Sequence, residues 1–240
     1  MIVHNILMIV HSIFRSKKLV IFVLFFFIIS GFTALSDYEL SLQEKFTIAR
    51  VKYGGGGDWY VGQTQITNLL KGLRERTNID AANRQEVIQL SDRKLYNYPF
   101  IYMTGHGNVA FTEEEVKALR LYLTRGGFLW ANDDYGMDKS FRREMKRVFP
   151  DKELMEVPFD YKLYSCFYEF PNGLPKIHEH DNKPPKGYGI FHDGRMVVFY
   201  DYESDIADGL EDPEVHNDPP EKREQALRMA INIVIYALTS

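Results

Sequence analysis

The hydrophobic pattern of the chain alternates between the spacing of strands and the spacing of amphipathic helices. Residues 46–53 and 98–105 are short runs rich in β-branched and aromatic side chains, which predicts two strands. Between them, apolar residues recur at i, i+3, i+4 and i+7, so we expect a helix over residues 59–76. A further strand is weakly indicated within residues 78–90. The first half of the chain is therefore predicted to alternate strands with helices.

One unit of strand, helix and strand is the clearest element of the pattern. The sequence from Thr112 to Glu115 is a capping box, in which each of these two side chains accepts a hydrogen bond from the other residue's backbone N–H. Gly126 and Gly127 end the helix, and FLWA follows as a strand. Short connections on both sides of the helix make residues 98–131 a βαβ unit, which requires parallel strands.

The second half of the chain adds a helix, a hairpin and a terminal helix. We expect a helix over residues 138–148 and a hairpin over residues 188–200, with a type I′ turn at Asp193-Gly194. The last helix is predicted to begin at Asp218-Pro219-Pro220, with the aspartate as its N-cap. The predicted fold is α/β, flavodoxin-like and doubly wound, with a mostly parallel sheet, helices on both faces and an added β-hairpin.

The amino-terminal segment has a different pattern from the rest of the chain. Residues 19–35 form an uncharged, largely apolar run that follows three basic residues. This arrangement is typical of a hydrophobic targeting helix, so we expect a signal peptide or a membrane anchor over residues 1–36. A polar spacer over residues 37–45 and one α/β domain over residues 46–240 would follow. Export places that domain in the periplasm, either free after cleavage or anchored to the inner membrane.

Charge and cysteine content narrow the classes of function. The targeting segment holds three of the 29 basic residues and none of the 33 acidic residues, so the remainder has a formal charge of −7. This negative balance argues against nucleic-acid binding. Cys166 is the only cysteine, so no intramolecular disulfide forms, and a lone thiol is expected to be buried and inert.

Polar residues follow the predicted strands at the points where parallel sheets bind ligands. Trp59 lies after four glycines, His106 stands between two glycines, and Asp133 and Asp134 follow the FLWA strand. His106 suits a base, a metal ligand or a hydrogen-bond donor, and the alternative is that it orders its own loop. The two aspartates suit a cation site, and the alternative is that one caps the next helix. Lys139, in that helix, is placed to neutralise either carboxylate.

A second group of candidate residues lies in the last third of the chain. His178 and His180 have H-x-H spacing, which places two imidazoles on one face of an extended segment and suits a metal. Proline-rich flanks favour the alternative of an ordinary solvated loop. Glu203 and Asp205 begin an acidic run that we expect to be a solvated loop, unless the hairpin folds back over the same sheet edge. Arg195, in the hairpin, completes the set of candidate binding residues.

Seven segments of the chain resemble a bacterial family defined as domain of unknown function 4159. The segments read RVKYGGGGDWY, YPFIYMTGHG, FTEEEVKALRLYLTRGGFLWANDD, FRREMKRVFP, GLPKIHEHD, HDGRMVVFYDYESD and ALRMAINIVIYAL, and the likeness covers about residues 46–238. The family is similar to class I glutamine-amidotransferase-like folds of the trehalose-utilisation type, which implies an α/β domain with a pocket at the carboxyl edge of its sheet. True amidotransferases carry a nucleophilic cysteine after this strand, where this chain has Asn132 to Asp134. The resemblance therefore implies no amidotransferase activity.

Two functions follow from these expectations, besides a purely structural envelope protein, which an apolar surface patch without a pocket would favour. The first is a non-catalytic module of the bacterial envelope that binds a small ligand or a partner protein and has no cofactor. Aromatic walls from Trp59, Tyr60 and Trp130 would favour it. The second is a metal-dependent hydrolase that uses an Asp/His cluster at the carboxyl edge of the sheet, with a divalent metal as its cofactor. Convergence of the candidate side chains within metal-ligand distance would favour this function.

Overall fold

A computed structural model describes residues 45–240, and the predicted targeting segment lies outside the described residues. The strands are β1 (Ala49–Val51), β2 (Glu86–Ile88), β3 (Phe100–His106), β4 (Phe128–Tyr135), β5 (Met155–Glu156), β6 (Lys186–His192) and β7 (Arg195–Tyr202). The helices are α1 (Gln65–Arg76), α2 (Glu113–Thr124), α3 (Asp138–Val148), α4 (Pro213–His216) and α5 (Pro220–Thr239). Both classes of element alternate along the chain, as the hydrophobic pattern predicts.

The strands form one mixed sheet in the order β2-β1-β3-β4-β7-β6-β5. The first five strands in this order are parallel to their neighbours, and β6 and β5 are added antiparallel at one edge. The parallel part has the strand order of a flavodoxin-like sheet. Successive strands are added toward one side of the sheet from β1 to β2 and toward the other side from β3 onward, so the strand order reverses between β1 and β3. The predicted mixed α/β architecture with a mostly parallel sheet is confirmed.

Helices cover both faces of the sheet because side chains of successive strand residues point to opposite faces. On one face, Phe100, Tyr102 and Trp130 pack with the apolar sides of α1 and α5. On the other face, Ile101 and Leu129 pack with α2 and α3. Both sets of side chains are fully buried. The core is therefore two layers of apolar contact separated by the sheet.

The local signals of the sequence are formed as predicted at two places. Thr112 and Glu115 make both hydrogen bonds of the capping box at the start of α2. Asp193 and Gly194 have φ of 50° and 80°, the left-handed conformation that a type I′ turn between β6 and β7 requires. These elements are fixed by neighbouring residues, so the sequence pattern is sufficient to place them.

Two helix starts differ from prediction, and tertiary contacts explain both. The first helix begins at Gln65 and not at residue 59, because the buried Arg50 guanidinium binds the backbone carbonyls of Trp59, Val61 and Gly62 and holds them in a turn. The last helix begins at Pro220, and Asp218 does not cap it, because its carboxylate is bound to an imidazole elsewhere.

The length and polarity of the helices bear on membrane insertion. Among residues 45–240, no helix is both long and apolar enough to cross a membrane. The apolar end of α5 is buried in the core beneath the sheet, as expected for a core helix. The prediction that residues 1–36 form a signal peptide or membrane anchor concerns residues outside the described range.

Candidate functional site

The carboxyl ends of β1, β3, β4 and β7 meet at one edge of the sheet, and four chain segments converge there. The loop after β1 brings Asp58, the end of β3 brings His106, the end of β4 brings Asp134, and the segment after β7 brings Asp205 and Asp208. This edge lies next to the point where the strand order reverses, which is where open parallel sheets bind ligands.

Three consecutive polar residues at the end of β4 have three different roles. Asn132 is buried, donates to Thr104 Oγ1 at 3.2 Å and accepts from the backbone N–H of Ala207 at 3.0 Å, so it ties β4 to the segment after β7. Asp133 accepts from the backbone N–H of Met137 and from the Tyr200 hydroxyl, at 3.1 Å and 2.9 Å. Asp133 therefore anchors the start of α3 on the far face of the sheet. Only Asp134 points toward the shared edge.

Asp134, Asp205 and Asp208 form a group of carboxylates with ligand atoms within 4.8 Å of one another. Their side chains are 2%, 1% and 12% exposed, so water screens their charges poorly. Oδ2 of Asp134 and Oδ1 of Asp205 are buried and have no hydrogen-bond partner among the described residues. Buried polar atoms in proteins are nearly always partnered, so two oxygens without a hydrogen bond in one group of carboxylates favour a bound cation.

The crowding of acidic groups also affects the pKa of Asp134. Burial raises the pKa of Asp134 to about 9, and the like charges of Asp208 and Asp205 add to the effect. Burial also raises the pKa of Asp133, to about 6, although hydrogen bonds from Met137 and Tyr200 oppose the rise. Asp134 therefore keeps its proton at neutral pH unless a cation takes the proton's place.

Histidines surround the carboxylate group on the side of the 175–181 loop. His178 Nδ1 lies 2.8 Å from Asp205 Oδ2 and 3.5 Å from Asp208 Oδ2, while its Nε2 lies 3.0 Å from Asp218. His216 Nε2 lies 3.3 Å from Asp208 Oδ2. Hydrogen bonds to Asp205 and Asp208 raise the pKa of His178 to about 10. His178 is thus surrounded by three carboxylates in this structure.

His180 is the second imidazole of the predicted H-x-H pair. Its Nε2 lies 3.3 Å from Asp205 Oδ2, out of hydrogen-bond alignment, and its ring stacks on Tyr135 at a centroid distance of 5.0 Å. Both predicted metal-binding histidines therefore face the same carboxylate. The solvated-loop alternative does not hold for this segment, because His178 and His180 are only 24% and 18% exposed.

His106 lies on the open side of the group. Its Nδ1 is 3.0 Å from Asp58 Oδ2 and 3.3 Å from Asp134 Oδ2, and its side chain is 49% exposed. The backbone N–H of His106 also donates to Asp58. Asp58 therefore holds the ring by one nitrogen, which leaves Nε2 available to a bound molecule.

An unusual turn places Asp205 beneath the histidines. Glu203 and Asp205 have φ of 58° and 60°, a left-handed conformation that non-glycine residues adopt at a cost of about 1–3 kcal/mol. The turn is held by Ser204, whose hydroxyl donates to the Pro175 carbonyl at 2.6 Å, and by Glu203, which binds Lys176 at 2.9 Å. These contacts join the turn to the loop that carries the histidines.

Several predicted site residues lie elsewhere or have another role. Arg195 is at the opposite edge of the sheet, since it begins β7, and it donates to the Gly127 carbonyl. Lys139 is exposed on α3, and the described residues offer it no ion pair. Trp59 stays at the edge with Lys52 over its ring. Trp130 is buried in the core and donates to Asp201, so it forms no pocket wall.

Sequence reasoning missed four contributors: Asp58, Asp208, His216 and Asp218. The acidic run after the hairpin was expected to be a solvated loop, but Glu203, Asp205 and Glu211 are almost fully buried. Their partners lie far away in the sequence, for example Thr64 for Glu211. The one local signal is the density of acidic residues immediately after a strand.

The donor set suits a divalent transition-metal ion. Such an ion takes imidazole nitrogen and carboxylate oxygen at about 2.0–2.2 Å, so two ligand atoms of a tetrahedral site lie roughly 3.3–3.6 Å apart. The separations from His178 and His216 to Asp208, and from His180 to Asp205, are 3.3–3.5 Å and match that requirement. His178 and Asp205 are hydrogen-bonded at 2.8 Å and would move apart to share an ion. Asp134, Asp205 and Asp208, with His178 and His180 beside them, can therefore hold such an ion with small side-chain movements.

The chain was compared with known families and proteins. The model of one protein family, described as Domain of unknown function (DUF4159), matches residues 47–238, which is most of the chain. No curated protein matches the chain.

Proposed function

We propose that this chain, which belongs to the DUF4159 family, is an exported hydrolase that depends on a divalent metal ion bound at the carboxyl edge of its sheet. One observation carries the proposal. Three carboxylates have ligand atoms within 4.8 Å of one another, and two of their buried oxygens lack a hydrogen-bond partner among the described residues. A divalent cation is the simplest group that neutralises such a set.

The residues of the edge have distinct roles in the proposed reaction. Asp134, Asp205 and Asp208 would hold the ion, which when bound lowers the pKa of a water molecule toward neutrality. His106 would act as the general acid and base, because Asp58 fixes its Nδ1 and its exposed side chain faces solvent. Asp58 would orient the His106 imidazole as the aspartate of a catalytic triad orients its histidine.

The geometry fits descent from an amidotransferase-like fold, but the proposed reaction does not use the amidotransferase mechanism. The flavodoxin-like strand order and the pocket edge support the relationship. Cys166 is no nucleophile, because its thiol packs on the Leu163 and Asn232 carbonyls and burial raises its pKa to about 11. Export is supported by the basic flank and apolar run of residues 1–36.

A second candidate function is a binding module that holds a ligand without turnover. It is favoured by Tyr60, which is 59% exposed and packs against Trp59 in the loop after β1, at the carboxyl edge of the sheet. Exposed aromatic rings offer a contact surface for a small ligand or an envelope partner. In this case the cation would organise the ligand, and His106 would donate a hydrogen bond instead of moving a proton.

Metal content and turnover together test the proposal. The full chain, purified without chelator, would be analysed by inductively coupled plasma mass spectrometry beside Asp134→Asn and a matched Asp193→Asn control. Asp193 is exposed in the hairpin turn, where Asn is equally suited. We expect near-stoichiometric metal in the wild type and the control, and none in Asp134→Asn.

Turnover then separates the two candidate functions. Hydrolysis of p-nitrophenyl acetate and bis(p-nitrophenyl) phosphate would be measured with and without added Mn²⁺ or Zn²⁺. The proposal expects metal-dependent hydrolysis that falls at least 100-fold in His106→Ala, since a positioned acid or base contributes about 10²–10⁴-fold. Bound metal with no hydrolysis of either ester would favour the binding module. Absence of bound metal after soaking would refute the metal site.

A further inference from the structure

We propose that the same edge binds a second divalent cation, held by His178, Asp208 and His216, so that Asp208 bridges two ions. The ligand atoms of these three residues lie within 4.8 Å of one another, and Asp208 also belongs to the group of Asp134 and Asp205. The inference deepens the proposed function and rests on it, because the bridging carboxylate presupposes the first ion.

The distances within this second group fit the ligands of a metal ion as well as ordinary ion pairs. His178 Nδ1 and His216 Nε2 lie 3.5 Å and 3.3 Å from the same oxygen of Asp208. Two ligands of one ion with bonds of about 2.0–2.2 Å are roughly 3.3–3.6 Å apart. The two imidazole rings lie side by side, with centroids 4.9 Å apart and planes tilted by 59°.

Asp218 supplies the outer partner that a metal-binding histidine normally has. Both of its oxygens lie 3.0–3.1 Å from His178 Nε2, on the side of the ring away from Asp208. With an ion bound, that carboxylate would keep a proton on Nε2, so that Nδ1 could give its lone pair to the ion in place of the 2.8 Å hydrogen bond that it makes to Asp205. Asp205 is only 1% exposed, and its other oxygen, Oδ1, has no hydrogen-bond partner among the described residues.

The bridging position of Asp208 sets the expected spacing of the ions. A carboxylate that binds one ion with each oxygen holds the two about 3.5–4 Å apart, the separation found in two-metal hydrolytic sites. Such a pair stabilises both the attacking and the leaving oxygen of a displacement reaction. A second ion would thus add charge stabilisation at the same edge of the sheet.

The number of ions bound per chain tests the inference. Titration of the full chain with Mn²⁺ would be followed by electron paramagnetic resonance, with bound metal counted after gel filtration. We expect two ions in the wild type with a broadened, spin-coupled signal, because the ions are close. His216→Ala should retain one ion with an uncoupled six-line signal. His216 lies on the exposed short helix α4, so its removal leaves both apolar cores intact.

Two further variants keep the test decisive. His192→Ala is the matched control, since His192 lies at the β6–β7 turn on the opposite sheet edge, and it should bind two ions. Asp218→Asn should retain both sites but weaken one about 10–100-fold, as loss of an outer-shell partner does.

Each outcome decides between the first and the second site. One ion in the wild type, unchanged in His216→Ala, would overturn the second site and leave the first intact. Two ions in both proteins would also overturn it, because the second ion would then lie elsewhere. No bound Mn²⁺ in the wild type would refute the proposed function together with this inference.

Discussion

Replacing Asp134 by asparagine is expected to stabilise the metal-free protein while it abolishes metal binding. The carboxyl of Asp134 is 2% exposed and lies within 4.8 Å of the ligand atoms of Asp205 and Asp208. Asparagine has nearly the same shape but no charge, so the change removes like-charge repulsion without opening a cavity. A residue retained for structure would show the opposite sign, since most substitutions of buried residues destabilise.

The size of the effect follows from proton linkage. Burial, with the like charges of Asp208 and Asp205, raises the pKa of Asp134 from 3.8 to about 9. At pH 7 the folded state must therefore take up a proton that the unfolded state lacks, which costs about 4 kcal/mol at 1.36 kcal/mol per unit. Partial screening reduces this value, so we expect Asp134→Asn to gain about 2–4 kcal/mol. For a domain of this size, the melting temperature rises by roughly 5–10 °C.

The sign of the pH dependence is part of the prediction. Because the folded pKa of this carboxyl is raised, its destabilisation is absent near pH 4 and grows as pH rises toward about 9. Thermal unfolding followed by circular dichroism in EDTA would therefore show nearly equal melting temperatures near pH 4 and a growing advantage of Asp134→Asn at pH 6 and pH 8. Asp193→Asn should match the wild type throughout.

Metal should reverse the order of stability. Addition of Mn²⁺ is expected to raise the melting temperature of the wild type, because an ion that binds only the folded state stabilises it, and to leave Asp134→Asn unchanged. If Asp134→Asn melts below the wild type in EDTA at pH 7, the carboxylate is a structural hydrogen-bond acceptor and the like-charge argument is wrong.

Four other predictions concern single side chains. Thr112→Ala should lower the free energy of unfolding in urea by about 1 kcal/mol, because the hydroxyl that accepts from the Glu115 backbone N–H is removed, and an unchanged midpoint would contradict this. The free energy of unfolding of Asp133→Asn, relative to the wild type, should rise by about 3 kcal/mol as pH rises from 4 to above 6. Burial raises the pKa of the Asp133 carboxyl to about 6, so the wild type loses stability in that window. Cys166→Ala should keep full metal-dependent hydrolysis, and a large loss of activity would revive a thiol mechanism. Lys176→Met should weaken Mn²⁺ binding several-fold with little effect on fold, because the ion pair with Glu203 at 2.9 Å fixes the loop of the histidines, and unaltered binding would show that the loop holds itself.

The order of helices and strands could be predicted because its determinants are local. The βαβ unit from β3 to β4 follows from apolar periodicity, the capping box at Thr112 and the glycines after α2. The hairpin follows from Asp193-Gly194, whose positive φ is a property of that dipeptide. The start of α1 could not be predicted, because it depends on Arg50, a buried cation that binds carbonyls 9–12 residues later in the chain.

The candidate site was only partly predictable for the same reason. Asp134, His106, His178, His180 and Asp205 were recognisable as polar residues in or after strands or at ligand spacing. Which of them meet depends on strand register and loop closure, and these are set by distant contacts.

The division between Asp133 and Asp134 illustrates this limit. Both lie at the end of β4, but pleating turns one toward α3 and the other toward the carboxylate group. Periodicity alone assigns them to opposite faces without showing which face carries the site.

The sequence by itself determined the α/β class, the parallel βαβ core, the hairpin and the absence of a cysteine nucleophile at the end of β4. Each of these depends on neighbouring residues or on residue identity. Only the tertiary structure decided that an acidic run after β7 is buried, and that Asp205 and Asp208 meet Asp134 and two histidines. The physical reason is that burying like charges is unfavourable locally and becomes tolerable only where several distant segments together supply positive charges and hydrogen bonds.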